Sequence, residues 1–160
     1  MYETRQKILS WEVLDSWIAY WRFLEHKIVF TNGCFDILHL GHVSYLEEAA
    51  RLGDVLIVGL NSDESVRRLK GSQRPLLPQE ARARILAALE FVDAVVIFEE
   101  DTPLRLIEKI APDILVKGGD YTPDTVVGAS FVQSLGGEVV ILPLIEGYST
   151  TQLLRKACGN

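Results

Sequence analysis

Two of the chain's three histidines stand in His39-Leu40-Gly41-His42. They follow Asn32-Gly33-Cys34-Phe35-Asp36, at the end of a short apolar run, and open a stretch that reads as a helix. At i and i+3 across a helix start, two imidazoles can face the same side. Gly41 leaves room for another group to approach the backbone closely. Imidazole donors beside the free N–H groups of a helix N-terminus make a place for phosphate. Two other readings compete. One is a pair of partly buried histidines satisfied by backbone. The other is a zinc pair, but no third Cys, His or carboxylate stands at ligand spacing. A strand before, a helix after and Gly between favour phosphate chemistry.

Two further segments fall where such a site would need them. Lys117-Gly118-Gly119-Asp120 ends an apolar run, and adjacent glycines let the backbone come close to a flat base or sugar. A tight turn with a solvated Asp reads equally well. Ser149-Thr150-Thr151 precedes the last helical stretch and offers hydroxyls and N-terminal N–H groups; a plain N-cap is the competing reading. Cys34 lies beside the site with nothing near it that marks a nucleophile, and reads as a small packing residue. Lys70 and Arg74 flank Gly71 in what reads as a loop. Taken alone they are solvated charges, as are Arg67, Arg68 and Arg84.

The elements that must position these residues alternate. Strands are expected at Ile28–Thr31, Asp54–Leu60, Ala94–Phe98, Ile114–Lys117 and Glu138–Leu142, rich in Val, Ile and Leu as strands buried on both faces should be. Helices are expected near Val43–Ala50, Gln79–Glu90, Pro103–Ile110, Thr125–Leu135 and Thr150–Ala157. Such alternation means an α/β fold: one Rossmann-like domain, a five-stranded parallel sheet with helices on both faces. Its ligand crevice lies at the carboxyl ends of the strands, where their order reverses. An extra N-terminal helix, Trp11–Leu24, carries Leu14, Trp17, Ile18 and Trp21 on one stripe, with Ser10 as its N-cap. The stripe reads as a helix packed on the domain's flank.

A chain of 160 residues suits one domain with one sizeable core. The net charge of −6 argues against a nucleic-acid-wrapping surface but leaves room for a local anion pocket. No apolar run approaches the roughly 20 residues that span a bilayer, and no signal-peptide pattern opens the chain. Two cysteines without metal spacing predict neither a disulfide framework nor a metal cluster, and a reducing cytoplasm is the expected location.

Asn32-Gly-Cys-Phe-Asp36 followed by His39-Leu-Gly-His42 resembles the signature of the HxGH nucleotidyltransferase superfamily, in its cytidylyltransferase-like branch. Ser149-Thr150-Thr151 resembles that branch's second signature. With Lys70-Gly71, Arg74-Pro75 and Lys117-Gly118-Gly119-Asp120-Tyr121, the pattern looks like the adenylyltransferases of ADP-heptose synthesis. The resemblance runs from about Lys27 to the end, which divides the chain into a helical extension, residues 1–26, and a nucleotidyltransferase domain, residues 27–160.

The resemblance implies transfer of AMP from ATP to D-glycero-β-D-manno-heptose 1-phosphate, with release of pyrophosphate and no covalent enzyme intermediate. It implies that His39, His42 and Lys70 are catalytic. It implies that Asn32, Gly33, Cys34, Phe35, Asp36, Gly41, Lys117, Gly118, Asp120, Ser149, Thr150 and Thr151, with the two histidines, seat the nucleotide. Lys70, Arg74 and Arg82 would bind the acceptor. Mg²⁺ is expected to enter with ATP rather than on a protein cage, since the motifs offer few carboxylates. Family members are commonly homo-oligomers, so the same is expected here, with no nucleic-acid or membrane partner.

The chain departs from the family at Leu144-Ile145-Glu146-Gly147, where cytidylyltransferases often read Arg-Thr-Glu-Gly. Two alternatives stay open: a cytidylyltransferase acting on glycerol 3-phosphate or a similar phosphate, and a non-catalytic nucleotide-binding regulator.

Overall fold

The structure is a computed structural model and describes residues 3–119 and 121–157. Strands β1 (Ile8–Leu9), β2 (Ile28–Gly33), β3 (Val55–Asn61), β4 (Ala94–Phe98), β5 (Ile114–Gly118) and β6 (Glu138–Leu142) form one sheet in the order β1-β4-β3-β2-β5-β6. Every pairing is parallel. Helices α1 (Trp11–Phe23), α2 (Leu40–Ala50), α3 (Asp63–Lys70), α4 (Gln79–Ala87), α5 (Leu104–Ile110), α6 (Ala129–Ser134) and α7 (Thr150–Ala157) fill the connections.

Alternation along the central strands divides the core. Ile28 and Phe30 of β2 and Ile57 of β3 face one layer, which α1, α5 and α6 cover with Leu14, Trp21, Leu106, Ile107, Ile110 and Val132. Val29, Leu56, Val58 and Leu60 face the other, covered by α2 and α4 through Tyr45, Leu46, Ala49, Ala83 and Leu86. Burial on both faces is why these strands are continuous apolar runs.

Five strands are expected from the sequence, and the sheet has six. The additional one, β1, is two residues long and pairs Ile8 with Val95 and Leu9 with Val96. Two residues are too few for any period to show. Ser10 caps α1 by accepting from the Val13 N–H. Leu14 and Trp21 reach the core, whereas Trp17 stays 40% exposed.

A further difference lies after β3. The stretch holding Lys70 reads as a loop but is helix α3, capped by Ser62, whose side chain accepts from the Ser65 N–H. Its sequence, DESVRRLK, buries only Ser65 and Val66, so it has almost no apolar stripe to read. The helix expected at Thr125–Leu135 is shorter: a 3₁₀ turn at Pro123–Thr125, then α6 after Gly128, whose φ of 86° breaks the run.

Strand order reverses between β2 and β5, which pair through Val29–Ile114 and Phe30–Leu115. The carboxyl ends of these two strands, Gly33 and Gly118, thus flank the switch point where sheets of this kind take ligands.

Candidate active site

His39 is the N-cap of α2, in extended backbone, and His42 lies in the first turn. The His42 and Val43 N–H groups both donate to the His39 carbonyl, at 2.9 and 3.1 Å. This fold-back stacks the two rings, with centroids 3.7 Å apart and planes 20° from parallel. Gly41 makes the stack possible: a Cβ there would stand 3.1 Å from the His39 ring and 3.2 Å from the Tyr148 Cβ. Phe35 meets His42 edge-on at 5.2 Å.

The Nδ1 atoms of both histidines are buried and have no hydrogen-bond partner. Burial, the neighbouring His39 and then Lys70 push the His42 pKa down to about 4; burial lowers His39 as well. Both imidazoles are therefore neutral at pH 7, each with one N–H to donate and one ring nitrogen to accept. A stability consequence follows with a definite sign. Between the ordinary 6.5 and about 4, the unfolded chain binds a proton at His42 that the folded chain refuses. Stability is therefore expected to fall as pH drops through that window, and His42→Gln should flatten the slope. Thermal melts of both proteins from pH 7 to pH 4 check this; an unchanged slope in the variant would rule it out.

Asp36 anchors the cationic side of the site. It is 2% exposed. Its carboxylate accepts from the Leu76 N–H at 2.8 Å, the Leu77 N–H at 3.0 Å and the Arg74 Nε at 2.6 Å. Burial raises its pKa, but the two N–H donors and Arg74 outweigh it and hold the group below the usual carboxylate range. With Nε on Asp36, the two terminal nitrogens of Arg74 make no hydrogen bond among the described residues, and Arg74 and Lys70 both line the cavity.

Arg82, expected from the sequence to bind the acceptor, lies away from the cavity. The residue is 1% exposed, and its guanidinium is spent on the scaffold. Nε donates to the Leu77 carbonyl, Nη1 to the Cys34 and Asn61 carbonyls, and Nη2 to Asp63. It does not line the cavity. Lys117 is also set back, its Nζ donating to the Asn32 Oδ1 at 3.0 Å, with its pKa lowered by burial. Asp120 lies outside the described residues.

The remaining residues singled out in the sequence come together around one cavity of about 450 Å³: Asn32, Gly33, Cys34, Phe35 and Asp36, both histidines with Gly41, Lys70 and Arg74, Gly118, and Ser149, Thr150 and Thr151. Ser149 caps α7, its hydroxyl accepting from the Gln152 N–H at 3.1 Å, and the start of that helix faces the cavity beside Thr150 and Thr151.

Four lining residues are not among the site residues expected from the sequence: Tyr45, Tyr148, and Leu144 and Ile145, which the sequence marks only as a departure from the family pattern. Tyr45 could have been found, since it stands one turn beyond His42 on the same helix face. Its hydroxyl pairs with the Thr31 hydroxyl at 2.6 Å, and burial pushes its pKa up to about 12. Leu144 presses on Gly118, where a Cβ would stand 2.8 Å from the Leu144 Cδ2. The part of the wall that Leu144 and Ile145 form is thus apolar. Among the described residues, no three His, Cys, Asp or Glu side chains come together as metal ligands. No helix among them is long and apolar enough to cross a membrane.

The cytidylyltransferase-like family model matches residues 30–154, a stretch that holds the parallel sheet's switch point and the His39–His42 pair. The chain belongs to this family of nucleotidyltransferases. It is 61% identical over 129 residues to a protein named bifunctional protein HldE in Syntrophotalea carbinolica, covering 81% of this chain and 26% of that one. With the protein of the same name in Trichlorobacter lovleyi it shares 55% over 154 residues, 96% of this chain and 31% of that one. The chain therefore spans a quarter to a third of the length of these relatives.

Among solved structures it resembles the lipopolysaccharide core biosynthesis protein of Thermoplasma volcanium, at 30% identity and a TM-score of 0.61, covering 78% of this chain and 99% of that one. A pantoate–β-alanine ligase from Francisella tularensis, 15% identical with a TM-score of 0.60 over 93% of this chain and 76% of that one, shares the fold.

Proposed function

We propose that the chain transfers the AMP moiety of ATP to D-glycero-β-D-manno-heptose 1-phosphate, releasing pyrophosphate and forming ADP-heptose for lipopolysaccharide core synthesis. One observation carries the choice within the family. Where cytidylyltransferases often place an Arg, this chain has Leu144 and Ile145, which line the cavity beside Gly118. An apolar wall against a bare glycine suits the face of a purine. Identity to proteins named HldE, and to a lipopolysaccharide core biosynthesis protein, supports the heptose acceptor.

In this reading an oxygen of the acceptor phosphate attacks the α-phosphorus of ATP, the bond from that phosphorus to the bridging oxygen breaks, and pyrophosphate leaves with the electron pair. A phosphate monoester, with a second pKa of about 6, is largely ionised at pH 7 and needs no general base. Catalysis is positioning and charge stabilisation. Neutral His39 and His42 donate N–H groups to the transferring phosphoryl oxygens, joined by Lys70. Arg74 grips the acceptor phosphate through its two free nitrogens. The N-terminus of α7, with Thr150 and Thr151, holds the departing pyrophosphate.

Mg²⁺ suits this site as an ion carried on the triphosphate, because Asp36 is already committed to Arg74 and two backbone N–H groups. When bound it neutralises phosphate charge. The chain acts in the cytoplasm, as a homo-oligomer, on two soluble substrates.

The test is a competition of ATP against CTP, each with heptose 1-phosphate and with glycerol 3-phosphate, read by pyrophosphate release. ATP with heptose 1-phosphate should give the highest kcat/KM, lost in excess chelator and restored by Mg²⁺. A maximum for CTP with glycerol 3-phosphate would overturn the heptose reading, and full activity in chelator would remove the metal from it.

A further inference from the structure

Arg82 is the largest fully buried side chain among the described residues. A buried charge is retained only when it is paired and hydrogen-bonded. Each partner of this one belongs to a segment that carries a site residue. The Cys34 carbonyl, 2.7 Å from Nη1, lies in the loop between β2 and the histidines. The Leu77 carbonyl, 3.0 Å from Nε, belongs to the loop that presents Arg74. Asp63, 2.7 Å from Nη2, is the first residue of α3, whose last residue is Lys70. The Asn61 carbonyl, 2.9 Å from Nη1, fixes the end of β3 from which α3 departs. Gln79, on the same helix as Arg82, accepts from the Asp63 N–H at 2.9 Å and doubles the tie.

The same loop is held from its other side. Asp36 binds the Leu76 and Leu77 N–H groups, so the Leu77 peptide sits between a buried carboxylate on its N–H and a buried guanidinium on its carbonyl. Arg74 hangs from that carboxylate, and Lys70 ends a rod of about 12 Å rooted on Asp63.

We infer that Arg82 is a positioning residue: one rigid fork that sets Lys70 and Arg74 relative to the His39–His42 pair and so registers both cations on the phosphates. This rests on the transferase reading of the cavity. A flat guanidinium with five donors can hold four acceptors in fixed directions; a lysine ammonium cannot reproduce that geometry. A misplacement on the order of 1 Å in a site that works by positioning costs about 10²-fold.

The experiment is a double-mutant cycle. Arg82→Lys is made in the native chain and in a Lys70→Ala/Arg74→Ala background, and kcat/KM and ATP affinity by calorimetry are measured for all. In the native chain Arg82→Lys should lower kcat/KM about 10²-fold and weaken ATP about tenfold, the equivalent of about 1.4 kcal/mol. In the background lacking both cations, the further loss in either quantity should be smaller than about threefold, because residues acting through one another are not additive. Equal factors in the two backgrounds would show a general packing role and overturn the inference. Should Arg82→Lys not fold, Asp63→Asn enters the same cycle with the same non-additivity expected. Wild-type protein that releases no pyrophosphate with any acceptor would sink the transferase reading, while the ATP-affinity arm still decides the role of Arg82.

Discussion

His42→Ala is expected to lower kcat by about 10²–10³-fold, the size of losing one preorganised donor to transition-state charge. Fold and ATP binding should survive. The ring is half-buried in the wall of an open cavity rather than in the sheet's two core layers. The stack with His39, at 3.7 Å, fixes the direction in which each ring offers its nitrogen before substrate arrives, and a donor fixed in advance costs no reorganisation during reaction. Removal of His42 also releases the His39 ring, so His39→Ala in the His42→Ala chain should add little. Steady-state rates with calorimetry for ATP check both. Near-native turnover in a folded, ATP-binding His42→Ala protein would end the catalytic assignment.

Asp36→Ala is expected to be the most damaging substitution to structure and activity together. It strands the Arg74 Nε and the Leu76 and Leu77 N–H groups around a carboxylate that is 2% exposed. Breaking a buried ion pair from one side costs about 3–5 kcal/mol, which for a chain of this length lowers Tm by roughly 10 °C. Arg74 loses the anchor that aims it, so kcat/KM should fall by at least about 10²-fold.

The pH dependence has the same sign as that of His42 but lies in a lower window. The folded pKa of Asp36 lies below the ordinary 3.8, so its stabilisation is complete above that value and lost as pH falls through the lower one. A variant with native Tm and native kcat/KM would show that the loop from Gly71 to Pro78 holds itself.

The five long strands and the three loops of the cavity are legible in the sequence because each rests on a strong local signal. Continuous Val, Ile and Leu runs mark strands buried on both faces, and His39-Leu-Gly-His42 marks the crevice. What is illegible has physical reasons. Strand β1 owes its pairing to β4, some ninety residues away. Helix α3 is held by the local Ser62 cap and by the tertiary contact of Arg82 on Asp63, neither of which leaves a period. Arg82 itself shows the limit most clearly. An Arg near a helix start looks the same in sequence whether it reaches solvent or reaches back into four segments, and only the burial of its whole side chain decides. Leu144 and Ile145 lie in a polar-looking loop, and their place in the wall depends on Gly118 being bare.

The stacked, uncharged imidazoles couple proton traffic to occupancy. A polyphosphate laid against the rings favours their charged forms and raises their pKa values. In the proposed reaction, a nucleotide that raised either pKa into the working pH range would arrive with proton uptake, and pyrophosphate would depart with proton release. Where one whole proton is taken up, a fall of one pH unit tightens the nucleotide about tenfold, and a rise loosens it equally. Under that condition a lower pH and a higher ATP concentration would be interchangeable ways of filling the same site.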